Sequence, residues 1–323
     1  MKNLIFVAIL SCTTILNAQN NKSEVKNMEV IVDKNQRKIV VYQVFTRLFG
    51  NKNTTNKPWG TIEENGVGKF NDFTDKALRE IHDLGVNYIW YTGVPHHALV
   101  RDYTAFEISN DDPDVVKGRA GSPYAVKDYY NVNPDLAVNP AKRLEEFEAL
   151  IARTHKNKMK VIIDIVPNHI ARKYEGKTNP KGIRDFGADD DVTVEYAREN
   201  NFYYIPNQAF QVPTSDHYKP LNGENTPLND GKFDENPAKW TGNGSRLAKP
   251  DINDWYETVK INYGIRPDGS KDFPELPEGF DKKSYQEHFE FWKDKDVPSS
   301  WKKFRDIALY WTAKGVDGFR YDM

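Results

Sequence analysis

The chain has 323 residues and a formal net charge of -2, with basic and acidic side chains mixed along its length. This composition lacks the basic stripe of a nucleic-acid-binding protein, and beyond the N-terminus no apolar run approaches the roughly 18 residues of a membrane-spanning helix. A single cysteine excludes a disulfide framework and a cysteine-based metal site.

The N-terminus is predicted to be an export signal. Lys2 precedes the apolar run Leu4–Leu10, and the predicted cleavage point follows Ala18. The segment ending at Cys12 also resembles a bacterial lipoprotein box, which would anchor the chain through a lipidated cysteine. We favour simple cleavage because apolar residues continue to Leu16. We therefore expect a signal peptide over residues 1–18 and an exported protein, either periplasmic, secreted or on the outer surface.

Beyond a flexible leader over residues 19–37, apolar periodicity predicts strands that alternate with helices. The predicted strands, rich in β-branched and aromatic residues, are 38–45, 86–91, 160–166 and 316–321. The predicted helices are 73–84, 140–156 and 299–314. About a hundred residues with weak periodicity separate the third strand from the third helix, and a structureless loop of that length is unexpected inside one domain. We therefore predict a small inserted domain there.

This order of elements predicts right-handed βαβ crossovers and a parallel sheet. A doubly wound sheet and a (β/α)8 TIM barrel both fit, but no G-x-G-x-x-G follows the first strand, so the dinucleotide-binding fold lacks its usual mark. We predict an α/β fold that is the first half of a (β/α)8 barrel. Its barrel segments are residues 38–169 and 299–323, and its inserted domain is residues 170–298.

Polar side chains follow the predicted strands at their carboxyl ends, where barrel enzymes place their sites. Asp164 interrupts an apolar strand, where an ionised carboxylate is costly unless it is paired. On the last strand, the period-two alternation puts Arg320 and Asp322 on the same side. A guanidinium in that position orients a carboxylate and favours its charged form, as a carboxylate nucleophile requires. The alternative is a structural Arg–Asp pair at a strand end.

Four motifs, taken in order, resemble those of the α-amylase family of retaining glycoside hydrolases (family 13). They are SPYAVKDYYNV at 122–132, DIVPNH at 164–169, KPDIN at 249–253 and GFRYD at 318–322. The first strand is also similar to the opening strand of the family, so the resemblance runs from Lys38 to the end. Each motif is weak evidence alone, but four in order around a large insert are strong evidence.

The resemblance implies a role for each matching residue. Asp322 would be the nucleophile that forms a glycosyl ester, and Arg320 would orient it. Asp164 and His169 would contact the sugar at the cleaved bond, with Tyr124 stacked beneath that sugar. The partner would be an α-glucan oligosaccharide or polysaccharide, and we expect a monomer.

The resemblance also implies a structural Ca²⁺ between the barrel and the insert. Asn168 would be one ligand and Asp251 a weaker second candidate, since oxygen atoms suit Ca²⁺. The acidic run Asp189–Asp191 is a further candidate, although a solvated turn is the better interpretation. Asp128 is expected to support the loop of Tyr124.

Retaining hydrolysis needs two carboxyl groups roughly 5–5.5 Å apart, one as nucleophile and one as acid/base. The acid/base Glu of the family follows the fifth strand and its His-Asp pair follows the seventh, so both would lie beyond Met323. We therefore expect the 323 residues to be an incomplete catalytic domain that is inactive alone.

Three functions stay open at this point. The first is a hydrolase of starch, glycogen or maltodextrin, and the second is a related enzyme that transfers a glucosyl or maltosyl unit to a sugar. The third is a non-catalytic glycan-binding protein, against which the presence of both Arg320 and Asp322 counts. The histidine pair His96-His97 is expected to line the sugar cleft. Candidate sugar platforms are the tryptophans at 240, 255, 292 and 301, of which the last two are expected to pack in the core.

Overall fold

The computed structural model describes residues 38–322, so the predicted signal peptide, Cys12 and the leader lie outside the described residues. The strands are β1 (Val41–Phe45), β2 (Tyr88–Thr92), β3 (Pro95–His97), β4 (Val126–Val132), β5 (Lys160–Ile165), β6 (His169–Ala171), β7 (Tyr204–Ile205), β8 (Ala238–Lys239), β9 (Thr258–Lys260) and β10 (Gly318–Tyr321). The α-helices are α1 (Ile62–Asn65), α2 (Asp75–Asp83), α3 (Arg143–Lys156), α4 (Tyr285–Trp292) and α5 (Ser299–Ala313).

The centre of the fold is a four-stranded parallel sheet with the order β1-β2-β5-β10. These strands and the helices α2, α3 and α5 follow the predicted order, with ends that differ by a few residues. The parallel β/α arrangement is therefore observed. The sheet is open, however, and residues 38–322 contain no closed barrel, so the half-barrel stays a prediction.

The stretch between β2 and α3 was predicted to be a loop, and the structure corrects this prediction. It contains the antiparallel pair β3–β4, in which every residue of β4 is buried. The charged side chains of β4 hide its strand character in the sequence because each has a partner inside the protein. Lys127 pairs with Asp111 at 2.7 Å. Asp128 accepts the backbone N–H groups of Tyr130 and Lys177, both at 2.9 Å.

The helices α3 and α5 cover the sheet with buried side chains at helical spacing. These side chains are Phe147, Leu150, Ile151, Phe304, Ile307 and Trp311. The indole of Trp311 donates a hydrogen bond to the backbone carbonyl of Tyr129 at 2.8 Å. The hydroxyl of Tyr129 in turn donates to the carbonyl of Val166 and accepts its N–H, at 2.8 and 3.0 Å. This chain of contacts fixes the end of β5, where the DIVPNH motif lies.

Asp317 sets the register of β10 against β5. Its backbone N–H donates to the carbonyl of Val161, and its carboxylate accepts the N–H of the same residue, both at 2.9 Å. His155, on α3, contacts that carboxylate at 2.7 Å. Because a register slip of one residue would reverse every side chain of a strand, this anchor decides which side chains of β10 face β5.

The insert between β5 and α5 contains two small antiparallel pairs, β6–β9 and β7–β8, and the helix α4. It has an apolar cluster that includes Tyr203, Phe210 and Trp240. Other insert residues, among them Phe186 and Phe202, pack into the main core instead. The predicted boundaries of the insert stay a prediction. No helix within residues 38–322 is long and apolar enough to cross a membrane.

Candidate active site

Arg320, on β10, is the residue around which the candidate site is arranged. Its register partner on β5 is Asp164, and one guanidinium nitrogen lies 3.5 Å from the Asp164 carboxylate. A second guanidinium nitrogen lies 2.7 Å from the carboxylate of Asp322. The guanidinium carbon also lies over the rings of Trp90 and Tyr124, at 5.2 and 5.7 Å from their centroids. A planar group with several donors can bind two carboxylates and an aromatic face together, whereas an ammonium cannot.

Asp164 is buried at the end of β5 and has several partners. The indole N–H of Trp90 donates to its carboxylate at 3.0 Å, and a guanidinium nitrogen of Arg320 lies 3.5 Å from it. Burial raises the pKa of Asp164 to about 6, while the hydrogen bond from Trp90 and the charge of Arg320 act in the opposite direction. This carboxyl group therefore changes its charge in mildly acidic solution, which an exposed aspartate does not.

His169 begins β6 and is buried beside the same group of side chains. Its Nδ1 accepts a hydrogen bond from the side-chain amide of Asn168 at 2.9 Å, so the proton of the neutral ring is on the other nitrogen. Burial lowers the pKa of His169 to about 4, and the charge of Asp322 opposes that fall. The imidazole is therefore neutral near pH 7 and lies within electrostatic reach of Asp322.

The structure thus brings together the five side chains that the motifs singled out for catalysis and sugar binding: Tyr124, Asp164, His169, Arg320 and Asp322. Tyr124 is half-buried; burial raises the pKa of its hydroxyl, and the charge of Arg320 opposes that rise. An aromatic face, a neutral imidazole and a carboxylate oriented by a guanidinium suit a neutral, hydroxyl-rich ligand. The individual roles of these residues stay predictions.

The residues predicted to bind calcium have hydrogen-bond partners within the chain, and the calcium site stays a prediction. The side-chain oxygen of Asn168 accepts a hydrogen bond from the ammonium of Lys260, and its amide donates to His169 and to the carbonyl of Gly242. Asp251 is exposed, and its carboxylate accepts the backbone and side-chain N–H groups of Asn253 at 2.8 Å. Residues 38–322 contain no cluster of three metal-ligating side chains. A lysine thus occupies the oxygen that was predicted to face the cation.

The acidic run predicted as a solvated turn has mixed surroundings. Asp189 pairs with Arg184 at the surface. Asp190, in contrast, is partly buried and accepts the backbone N–H groups of Asn201 and Phe202 at 2.7 and 3.0 Å. Its carboxylate closes a turn of the insert, which is a structural role.

Three residues of the site were missed by the sequence analysis. Trp90 lies in an apolar strand and was not singled out, although the period-two alternation shows which of its neighbours share its face. Lys260 ends β9, and the sequence carries no signal that pairs it with Asn168. Asp317 precedes the GFRYD motif by one residue, where its anchoring of β10 to Val161 depends on a contact across the sheet.

The other candidate residues differ in their surroundings, and Trp240 and Trp301 line a cavity of about 710 Å³ beside Asn168. His96 and His97 are buried in the β3–β4 pair, and the expectation that they line the sugar cleft stays a prediction. Trp240 is buried and stacked on Tyr203, with ring centroids 4.4 Å apart. Two other tryptophans, Trp292 and Trp301, pack against each other at 5.1 Å. The remaining tryptophan on that list, at position 255, is 45% exposed.

Comparison with known proteins agrees with this arrangement. Residues 43–246 match the sequence model described as "Alpha amylase, catalytic domain". The chain is 28% identical over 287 residues to trehalose-6-phosphate hydrolase from Bacillus subtilis (strain 168). This alignment covers 89% of this chain and 35% of that protein. It is 26% identical over 219 residues to cyclomaltodextrin glucanotransferase from Geobacillus stearothermophilus, covering 62% of this chain and 28% of that protein.

Among solved structures, the chain aligns with trehalose-6-phosphate hydrolase from Bacillus licheniformis. The alignment covers 88% of this chain and 35% of that one, with 18% identity and a TM-score of 0.40. The chain therefore spans about a third of the length of the hydrolases that it matches.

Proposed function

Since the chain belongs to the α-amylase family, we propose that it provides the nucleophile side of a retaining enzyme that cleaves α-glucosidic bonds in starch- or maltodextrin-type substrates. The observation that carries this proposal is the single guanidinium of Arg320, which contacts both Asp322 and Asp164. Asp322 is about one-third exposed and thus accessible to a ligand, whereas Asp164 is buried. The accessible carboxylate is the one suited to attack a sugar.

In the proposed reaction, an oxygen of Asp322 attacks the anomeric carbon of the sugar that lies on Tyr124. The bond from that carbon to the leaving oxygen breaks while an ester forms with Asp322. The leaving oxygen takes a proton from a carboxylic acid, and water then attacks the same carbon to release the sugar and restore the carboxylate. Two displacements at one carbon retain its configuration.

The neighbours of Asp322 would act by orientation and by excluding water. The contact with Arg320 directs one oxygen of the Asp322 carboxylate and leaves the other for the sugar. Burial lowers the pKa of His169 to about 4, so its ring is neutral and both donates and accepts hydrogen bonds. It can therefore bind a sugar hydroxyl without competing with Arg320 for the Asp322 carboxylate. Asp164 would bind a second hydroxyl or maintain the position of Arg320.

None of the five side chains of the candidate site is suited to be the proton donor of this reaction. Asp164 is already bound by Trp90 and Arg320, so it is poorly placed to protonate a leaving group. We propose that a glutamate outside residues 38–322 supplies the proton, as the family resemblance implies. The 323-residue chain would then fail to turn over α-glucosides by itself, and measurable hydrolysis by the purified chain would contradict that part of the proposal.

Transfer to a sugar acceptor is the second candidate function. The similarity to two cyclomaltodextrin glucanotransferases favours it, because transfer and hydrolysis share the same ester intermediate and differ in what attacks it. Product analysis on maltotriose separates the two functions, since products longer than the substrate arise only by transfer.

The central experiment replaces the nucleophile in the full-length enzyme. Asp322→Asn should reduce kcat on the order of 10⁴-fold, as expected for loss of an essential catalytic aspartate, with an unchanged thermal unfolding curve. Wild-type enzyme should release the α anomer first, observed by proton NMR. Asp268→Asn is the matched control, because Asp268 caps an exposed turn through Ser270. Undiminished turnover by the Asp322 variant would refute the assignment.

A further inference from the structure

The side-chain amide of Asn168 lies between a lysine of the insert and an imidazole of the candidate active site. Its oxygen accepts a hydrogen bond from the ammonium of Lys260. Its nitrogen donates to the backbone carbonyl of Gly242 at 3.0 Å and to Nδ1 of His169 at 2.9 Å. The oxygen and both N–H groups of this amide therefore have a partner within the chain.

The neighbours of the amide permit one orientation. An ammonium has donors only, so the amide oxygen faces Lys260, and a backbone carbonyl only accepts, so the NH₂ group faces Gly242. Turning the amide over would place its NH₂ group against the ammonium and its oxygen against that carbonyl. A Cβ at Gly242 would overlap the hydroxyl of Thr258 and lie 3.1 Å from the Cβ of His169, so the close approach of this carbonyl requires a glycine.

The β6–β9 pair brings Lys260 to Asn168. Lys260 is the register partner of His169, and the N–H of Ile261 donates to the backbone carbonyl of Asn168 at 3.1 Å. The contact between the two side chains therefore joins backbone segments that strand pairing already fixes. Lys260 is half-buried and His169 is buried, so water competes little for these hydrogen bonds.

Nε2 of His169 is the ring nitrogen that remains for a ligand. Because Nδ1 of the neutral ring accepts from Asn168, the proton is on Nε2. The carboxylates of Asp164 and Asp322 only accept when they are ionised, and the guanidinium of Arg320 is directed at both of them. The opposite tautomer would give Nε2 a lone pair, and the site would then hold a third acceptor beside two carboxylates.

We propose that Lys260 is a positioning residue for His169. Acting through the amide of Asn168, it selects the tautomer in which His169 offers an N–H to a sugar hydroxyl, although Lys260 itself does not contact the sugar. The inference rests on the proposed function where it names a sugar as the ligand, whereas the tautomer is a property of the free enzyme and can be measured without turnover.

The test is long-range proton–nitrogen NMR of the histidine-labelled full-length enzyme at pH 7, with His169 assigned by the signal that His169→Gln removes. Wild-type enzyme should carry the proton on Nε2. In Asn168→Asp both oxygens accept and Lys260 neutralises the new carboxylate, so the proton should move to Nδ1. The kcat/KM for maltotriose should then fall about tenfold, as expected for loss of one hydrogen bond to the substrate.

Variants of the lysine separate positioning from stability. Lys260→Met removes one of the two constraints on the amide, and signals of both tautomers should appear. Lys260→Arg keeps a donor-only group and should restore the single wild-type tautomer. Lys271→Met is the matched control, because Lys271 pairs with Glu275 at the surface, and it should change neither the His169 signals nor kcat/KM.

An unchanged single tautomer in Asn168→Asp or in Lys260→Met would overturn the positioning role, while turnover of maltotriose by the wild-type enzyme would still support the proposed function. Conversely, the expected tautomer changes in an enzyme that turns over no α-glucoside would support the positioning of His169 and overturn the proposed function.

Discussion

The two sides of the DIVPNH turn differ in how they satisfy their charges, although both follow the same strand. On one side, Asp164 and Asp322 share the guanidinium of Arg320, and Asp322 stays accessible. On the other side, the oxygen of Asn168 is bound by the ammonium of Lys260 within the protein. The first side retains a carboxylate for a ligand, whereas on the second side the amide oxygen is already hydrogen-bonded within the chain.

This comparison shows what a polar motif does and does not specify. Oxygen atoms at a strand end require a positive partner, but a metal ion, a lysine and an arginine can each meet that requirement. The partner comes from elsewhere in the chain, here from β9 for Asn168 and from β10 for Asp164. The difference between the two sides can be measured by replacing Arg320, Trp90 or Lys260 and comparing the loss of activity or stability.

The largest effect is expected on the catalytic side, from Arg320→Lys. A lysine keeps the positive charge, but it cannot contact Asp322 and Asp164 while covering the rings of Trp90 and Tyr124. We expect kcat/KM on maltotriose to fall about 10²-fold, the cost of a misplaced reacting group. Arg305→Lys is the control, since Arg305 pairs only with the adjacent Asp306 on the surface. A value near wild type would remove Arg320 from the orientation of Asp322.

An intermediate effect is expected from Trp90→Phe, which removes the hydrogen bond to Asp164. Burial raises the pKa of Asp164 to about 6, and the hydrogen bond from Trp90 limits that rise. Loss of this hydrogen bond should therefore raise the pKa of Asp164 further. A carboxyl group whose pKa is higher in the folded than in the unfolded protein binds extra protons when folded, and its contribution to stability is lost as pH rises through that range.

The variant should therefore lose more stability at pH 7 than at pH 5, with a total loss of about 1.5–3 kcal/mol at pH 7. Urea unfolding at both pH values measures this, and comparison with wild type at each pH cancels the contribution of His169. Trp301→Phe is the control, because its indole donates to the neutral carbonyl of Tyr263 at 3.1 Å. Equal losses at both pH values in the Trp90 variant would contradict the coupling to Asp164.

The smallest effects are expected on the lysine side. Lys260→Met leaves the side-chain oxygen of Asn168 without its donor and should cost about 1 kcal/mol of unfolding free energy. Wild-type protein should show the same unfolding temperature with a calcium chelator and with added Ca²⁺, because the ammonium already occupies the oxygen that a metal would need. A chelator-dependent fall in that temperature would support the calcium prediction instead.

Local sequence was sufficient for the elements that bury one continuous apolar surface. The strands β1, β2, β5 and β10 and the helices α2, α3 and α5 were predicted in the correct order, because periodicity records which residues leave water. The β3–β4 pair was missed because Lys127 and Asp128 are buried with partners that are distant in the chain, Asp111 and Lys177.

The sequence by itself determined which side chains gather at the candidate site, since the carboxyl ends of parallel strands meet at one edge of a sheet. Only the tertiary structure decided how each charge is satisfied. Arg320 and Asp317 act through the register of β10 against β5. Trp90 reaches Asp164 from β2, and Lys260 reaches Asn168 from a strand more than ninety residues away in the chain. The interaction energy of two polar groups depends on their separation in space, and the order of residues along the chain does not give that separation.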